Sequence, residues 1–92
     1  MTRAGPKAPK LTQAQYNTVL QLQGGVCAIC GRPPKNRKLN VDHDHKGPRG
    51  EVRGLLCHRC NRGLTWFNDR PERLRIAATY LEGTRYYPEA TD

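Results

Sequence analysis

Apolar residues along this chain recur with two different periods, and the switches between them divide it into elements. From Leu11 to Gln23, Tyr16, Val19, Leu20 and Gln23 fall on one helix face. Thr12 with Gln15 three residues later forms a capping-box pattern, and Leu11 and Tyr16 sit where a hydrophobic staple would place them. Gly24-Gly25 ends this helix. Leu39-Asn40-Val41 then alternates and predicts the start of a strand, and Glu51 to Leu56 (EVRGLL) predicts a second. Lys46-Gly47-Pro48-Arg49-Gly50 is a turn signal, so the two strands are expected to pair as a hairpin. The helical period resumes at Cys57, and Cys57, Cys60, Asn61 and Leu64 share one face of a helix running towards Phe67. Asn68-Asp69-Arg70-Pro71 breaks it. Asp69 with Glu72 predicts the cap of a last helix, with Pro71 in its first turn. Leu74, Ala77, Ala78 and Leu81 line one face of that helix, which is expected to join the core, and Gly83 ends it.

This order predicts a small α+β domain over residues 11–83, between a basic tail (1–10) and a C-terminal tail (84–92). At 92 residues, of which 36% are hydrophobic, the chain has room for one modest core. Domains of this size often need a staple, and the cysteines suit that need. They fall as two C-x-x-C pairs, Cys27/Cys30 and Cys57/Cys60. Each pair is a poor geometry for adjacent bridging and a natural one for a zinc knuckle, so metal is favoured over disulfides. The N-terminus is basic and Pro-rich, without the apolar run of a secretory signal. No stretch approaches membrane-spanning length. Four thiolates would leave the zinc no open position, which makes it structural.

Charge changes the picture further. Sixteen Lys+Arg face eight Asp+Glu, a formal +8. Four zinc-bound thiolates subtract four and the ion adds two, which still leaves a strongly cationic small domain. That excess points to a polyanion, foremost DNA, although charge for solubility alone gives the same number. Arg49, Arg53, Arg59 and Arg62 are the candidate DNA contacts. The basic loop from Pro33 to Lys38 reads at least as well as a solvated turn.

The candidate chemistry lies in Asp42-His43-Asp44-His45, between the two cysteine pairs, and in Asn61 directly after the last cysteine. Asp42 and the Asn61 amide oxygen suit a hard divalent ion such as Mg²⁺ or Mn²⁺. An imidazole accepts protons near neutral pH, so His43 is the candidate general base. Arg53, in the middle of the hairpin, is placed to clamp a phosphate. In a regular strand Asp42 and His43 point to opposite faces, so a common site requires the strand to end or bulge near Val41-Asp42. From the residues alone, a polar turn or a second zinc site are the alternative readings of Asp42 to His45.

Cys27-x2-Cys30, Leu39-x-Val41-Asp42-His43-Asp44-His45 and Val52-Arg53-Gly54-Leu55-Leu56-Cys57-x2-Cys60-Asn61 together resemble the recombination endonuclease VII family. That family belongs to the phage-type HNH nucleases, with a ββα-metal (His-Me finger) fold. The resemblance implies a zinc-stapled ββα-metal core with flanking N- and C-terminal helices. It implies zinc on the four cysteines, a catalytic Mg²⁺ or Mn²⁺ on Asp42 and Asn61, His43 as base and His45 assisting at the scissile phosphate. The reaction implied is hydrolysis of a DNA phosphodiester to a 5′-phosphate and a 3′-hydroxyl. The short stretch after Asn61 favours a monomer that nicks duplex or branched DNA with low sequence specificity over a dimeric Holliday-junction resolvase. A zinc-stapled nucleic-acid-binding module without catalysis is the rival from another class. A phage origin would put the protein in the bacterial host cytoplasm.

Overall fold

The computed structural model describes residues 10–44 and 50–86. The elements are α1 (Gln13–Leu22), β1 (Asn40–His43), β2 (Val52–Leu56), α2 (His58–Trp66) and α3 (Pro71–Glu82). The expected hairpin turn lies outside the described residues apart from Gly50, and so do His45, Arg49 and residues 1–9 and 87–92 of the two tails.

Helix α1 starts where its sequence says it should. Thr12 Oγ1 accepts from the Gln15 amide at 3.1 Å, and Gln15 Oε1 accepts from the Thr12 amide at 2.9 Å, completing the capping box. Its face delivers Tyr16 to the core, where the phenol donates to the Leu39 carbonyl at 2.7 Å. Burial pushes the Tyr16 phenol up, and that backbone bond opposes the shift.

β1 and β2 pair antiparallel, with Val41 opposite Leu55 and Asp42 opposite Gly54. The core is small: Tyr16, Cys27, Leu39, Leu55 and Leu56 are buried, with Leu11, Val19, Leu20, Val41 and Leu64 packed around them. α1 and α2 both pack on the hairpin, so the core lies between the helices and two strands.

A two-stranded sheet leaves strand edges that must be satisfied. Gln23, expected as one more residue of the α1 face, solves this for β2. Its Oε1 accepts from the Leu55 amide at 2.8 Å, and its Nε2 donates to the carbonyls of Leu55 (3.0 Å) and Val26 (2.9 Å). One side-chain amide thus stands in for a third strand, and the Ala28 amide adds a bond to the Leu55 carbonyl at 3.2 Å. Gly54 leaves room for it, because a Cβ there would sit 3.0 Å from Gln23 Oε1. Gln23→Leu keeps the volume and strands the fully buried Leu55 amide. It should cost about 1–3 kcal/mol, read as a lower thermal midpoint. An unchanged midpoint would remove Gln23 from this role.

Two expectations about the C-terminal half need correction. Asp69 is not the cap of α3. The N-cap position is Arg70, with no side-chain cap bond, and Glu72 pairs with Arg70 (2.6 Å). Asn68 and Asp69 both adopt left-handed backbone, with φ of 54° and 60°, a conformation that short polar side chains tolerate better than most. Consecutive left-handed residues swing the chain away after α2. As a result α3 packs against none of the other elements among the described residues. Its predicted face does not join the core cluster: Leu74 and Ala77 are only half-buried, Ala78 is exposed and Leu81 is 66% exposed.

Candidate functional site

The cysteine pairs sit on two different local devices that both aim backbone amides at sulfur. In the first, the chain turns through Gly31 (φ 73°), with Gly31 donating to the Cys27 carbonyl. The Ile29 amide points at Cys27 Sγ (3.4 Å). In the second, Cys57 is the N-cap of α2, and its Sγ accepts from the Cys60 amide at 3.4 Å. A thiolate is well placed at a helix N-terminus, where unpaired amides and the helix dipole favour negative charge.

β2 runs directly into Cys57, and the Ala28 bond to Leu55 brings the first knuckle alongside. All four sulfurs consequently lie within 4.8 Å of one another, with Cys30 and Cys57 at 3.8 Å. A tetrahedral zinc with bonds of about 2.3 Å requires sulfur–sulfur distances of about 3.8 Å. None of the four is in a disulfide. The donor set and its spacing fit a zinc ion.

The electrostatics agree. Burial pushes the Cys27 thiol up, but backbone hydrogen bonds from Cys57, Cys30 and Ile29 outweigh it and bring the group down to about 6. Cys60 is pushed up to about 12, by burial first and then by its neighbouring thiols. Without a cation the cluster resists gathering a second negative charge. A divalent ion relieves that repulsion.

Asp42 and His43 sit at a break in the ladder. Asp42 pairs with Gly54, but His43 pairs with Val52, so Arg53 is an extra residue on β2. The irregularity expected near Val41-Asp42 therefore falls between Asp42 and His43, with the inserted residue on the opposite strand. Its effect is to re-aim Arg53. In regular pairing Arg53 would point away from the Asp42–Gly54 face. Instead its Nε donates to Asp42 Oδ2 at 2.9 Å and its Nη2 to Oδ1 at 3.1 Å.

Arg53 also reaches Asp69, which sequence reasoning missed as a site residue. Nη2 lies 3.1 Å from Asp69 Oδ1 and 3.0 Å from Oδ2. Hydrogen-bond geometry is met at Oδ1 only, so among the described residues the buried Oδ2 is ion-paired with no donor directed at it. Hydrogen bonds to Asp42 and then Asp69 raise the Arg53 pKa and fix its charge. Arg53, expected to be a phosphate clamp, is thus held by two carboxylates, and Asp42 is buried beneath it (6% exposed).

His43 faces different surroundings. With Val41 it lines a cleft of about 370 Å³, together with Leu11, Tyr16, Lys10 and Lys38. Asn61 stands on α2, half-buried, one residue beyond the cysteine cluster. Its amide donates to the Cys57 carbonyl at 3.0 Å, and its side chain has no hydrogen bond among the described residues. Arg59 and Arg62 are exposed on α2.

Comparison with known proteins gives a consistent picture. The family model for recombination endonuclease VII matches residues 3–83. Over 73 residues the chain is 47% identical to the Gene 59 protein of Mycobacterium phage D29 and 45% identical to that of Mycobacterium phage L5. Each match covers 77% of this chain and 43% of the phage protein, so the chain spans less than half the length of these relatives. Among the described residues no helix is long and apolar enough to cross a membrane. With nearly the whole chain matched by the family model, this protein belongs to the recombination endonuclease VII family.

Proposed function

We propose that this chain is a metal-dependent DNA endonuclease of the HNH type, with a ββα-metal core stapled by structural zinc. The observation that carries the reading is the run from β2 through Cys57 and Cys60 to Asn61. It lets the cysteine cluster pin the first turn of α2, and with it Asn61, against the hairpin bearing Asp42 and His43.

The oxygen donors of Asp42 and Asn61 suit Mg²⁺ or Mn²⁺, which take one or two protein groups and keep several waters. Asn61 has its side-chain amide free of hydrogen bonds among the described residues, and Asp42 is a buried carboxylate whose charge Arg53 already stabilises. Asp69 offers Arg53 a second carboxylate, so Asp42 can turn an oxygen towards a cation without leaving the guanidinium unpaired. Bound there, the ion would supply charge stabilisation to the scissile phosphate and the departing oxygen.

The chain's own groups do the rest. His43 accepts a proton from the attacking water. The new bond forms between that water oxygen and phosphorus, the bond from phosphorus to the 3′ oxygen breaks, and that oxygen takes a proton from solvent, giving a 5′-phosphate and a 3′-hydroxyl. Arg53, held by Asp42 and Asp69, keeps a fixed positive charge beside the site. His45, outside the described residues, keeps the assisting role its family position implies. Contacts from Arg49, Arg53, Arg59 and Arg62 would be to the backbone, giving low sequence specificity on duplex or branched DNA.

The test is supercoiled plasmid with Mg²⁺, beside Asp42→Asn, Asn61→Ala and a chelator control. The wild type should convert the plasmid to nicked circles. Losing several kcal/mol of charge stabilisation should slow both variants by about 10² or more while their circular dichroism stays unchanged. DNA binding with no nicking across Mg²⁺ and Mn²⁺ would identify a zinc-stapled binding module instead.

A further inference from the structure

Beside the zinc cluster, a groove of about 580 Å³ runs between the loop at residues 32–38 and the start of α2. Arg32, Lys35, Arg37, Lys38 and Arg59 line it, with His58. The ion pairs among the described residues involve Arg53 and Arg70, and none of these five cations takes part in one. The loop residues are exposed.

The start of α2 sharpens the point. A helix N-terminus carries partial positive charge and favours acidic side chains in its first turn. α2 has none there and carries His58 and Arg59 instead. Cations packed around a positive helix end repel one another unless an anion is supplied. A zinc ion with four thiolates carries two negative charges, fewer than the five cations that line the groove.

Lys38 connects this groove to the proposed catalytic site. It lines both the groove and the cleft that holds His43. Its Nζ is held 5.2 Å from the centroid of the Tyr16 ring, a cation–π distance, and Tyr16 is fixed in the core. Lys10 lines the same cleft.

We propose that groove and cleft form one continuous track for a DNA strand, joined at Lys38. The strand that presents its phosphate to His43 runs on across the zinc knuckle, with its backbone held by Arg32, Lys35 and Arg37. This rests on the nuclease reading for its polarity towards His43. The track makes the zinc knuckle part of the substrate surface as well as a staple, and turns the basic loop from a solvated turn into a phosphate rail. The contacts are to phosphates, so they carry no sequence preference.

The test is binding of a fluorescent 20-base-pair duplex, about two helical turns, by anisotropy at several salt concentrations. Mg²⁺ is left out so that cleavage plays no part. The triple variant Arg32→Gln/Lys35→Gln/Arg37→Gln is compared with Arg73→Gln/Arg75→Gln/Arg85→Gln, which removes the same charge in and after α3. Zinc content and circular dichroism check both folds, and Lys38→Gln serves as a single change should the groove triple not fold. Losing three phosphate contacts should flatten the slope of log K against log salt by about 2–3 and weaken binding by about 10² at physiological salt. The α3 triple should keep the wild-type slope. Lys38→Gln alone should flatten the slope by about 1. A groove variant with the wild-type slope overturns the proposal, as does equal flattening by both triples, which would show net charge acting without a path. The plasmid assay separates the two readings: nicking with an unaltered slope removes the track alone, and a flattened slope without nicking removes the chemistry alone.

Discussion

Cys57→Ser should abolish folding of the domain at neutral pH. Cys57 does two jobs at one position: it supplies a sulfur to the cluster and it caps α2 through the Cys60 amide. Serine can cap a helix, so the capping role survives and the ligand role does not. The core leaves little margin, since among the described residues the buried hydrophobic cluster is Tyr16, Cys27, Leu39, Leu55 and Leu56, and Cys27 is itself a zinc-cluster member. Structural zinc contributes about 10–16 kcal/mol of apparent folding free energy in small zinc domains, against a total stability of about 5–15 kcal/mol for typical domains. Replacing one ligand of four therefore takes away more than the hydrophobic core can supply. The readouts are zinc content and far-ultraviolet circular dichroism: zinc-free, largely unfolded protein is expected. Wild-type should lose the same signal when a strong chelator removes zinc. A cooperatively folded Cys57→Ser protein with wild-type melting would show that the four cysteines are not a structural metal site.

The features legible in the sequence were those whose partners lie close in the chain. Thr12 and Gln15 are three residues apart, and their capping box forms as read. The cysteine spacing told of a cluster because each C-x-x-C pair is a local turn. The hairpin brings the pairs together, and the alternation at Leu39–Val41, the turn signal at Lys46–Gly50 and the strand read at Glu51–Leu56 predicted it. What stayed hidden depends on contacts across the fold. Gln23 falls at a helical position, and nothing local says that its amide will bond to Leu55, 32 residues away. Asp69 looked like a helix cap because an acid three residues before Glu72 usually is one. Its ion pair with Arg53 arises only because β2 carries an inserted residue that turns Arg53 round. The face of α3 shows the remaining gap: periodicity reports that a helix is two-sided, and it does not say what the apolar side meets. Here the left-handed pair Asn68-Asp69 directs α3 away from the hairpin.

His43→Ala should leave a folded, zinc-loaded protein that binds DNA and does not cleave it at an appreciable rate. The fold argument comes first. His43 is the last residue of β1, half-buried at the rim of its cleft, opposite Val52 where the ladder is already irregular. Truncation there removes no core volume, and a change of less than about 1 kcal/mol in stability is expected. The catalytic argument follows from position. The imidazole shares its cleft with Lys38, where the proposed strand track reaches the site, so a phosphate drawn to Lys38 is presented on the His43 side of the strand. Loss of a general base slows a reaction by about 10²–10⁴. The readout is the single-turnover nicking rate of supercoiled plasmid with Mg²⁺. Added imidazole should restore part of the variant's rate, because the cleft left by the side chain admits a small base. A variant that nicks at the wild-type rate would take the proton-accepting role away from His43. The zinc cluster would stand untouched, and the strand track would keep its phosphate-binding cations and lose only its polarity towards His43.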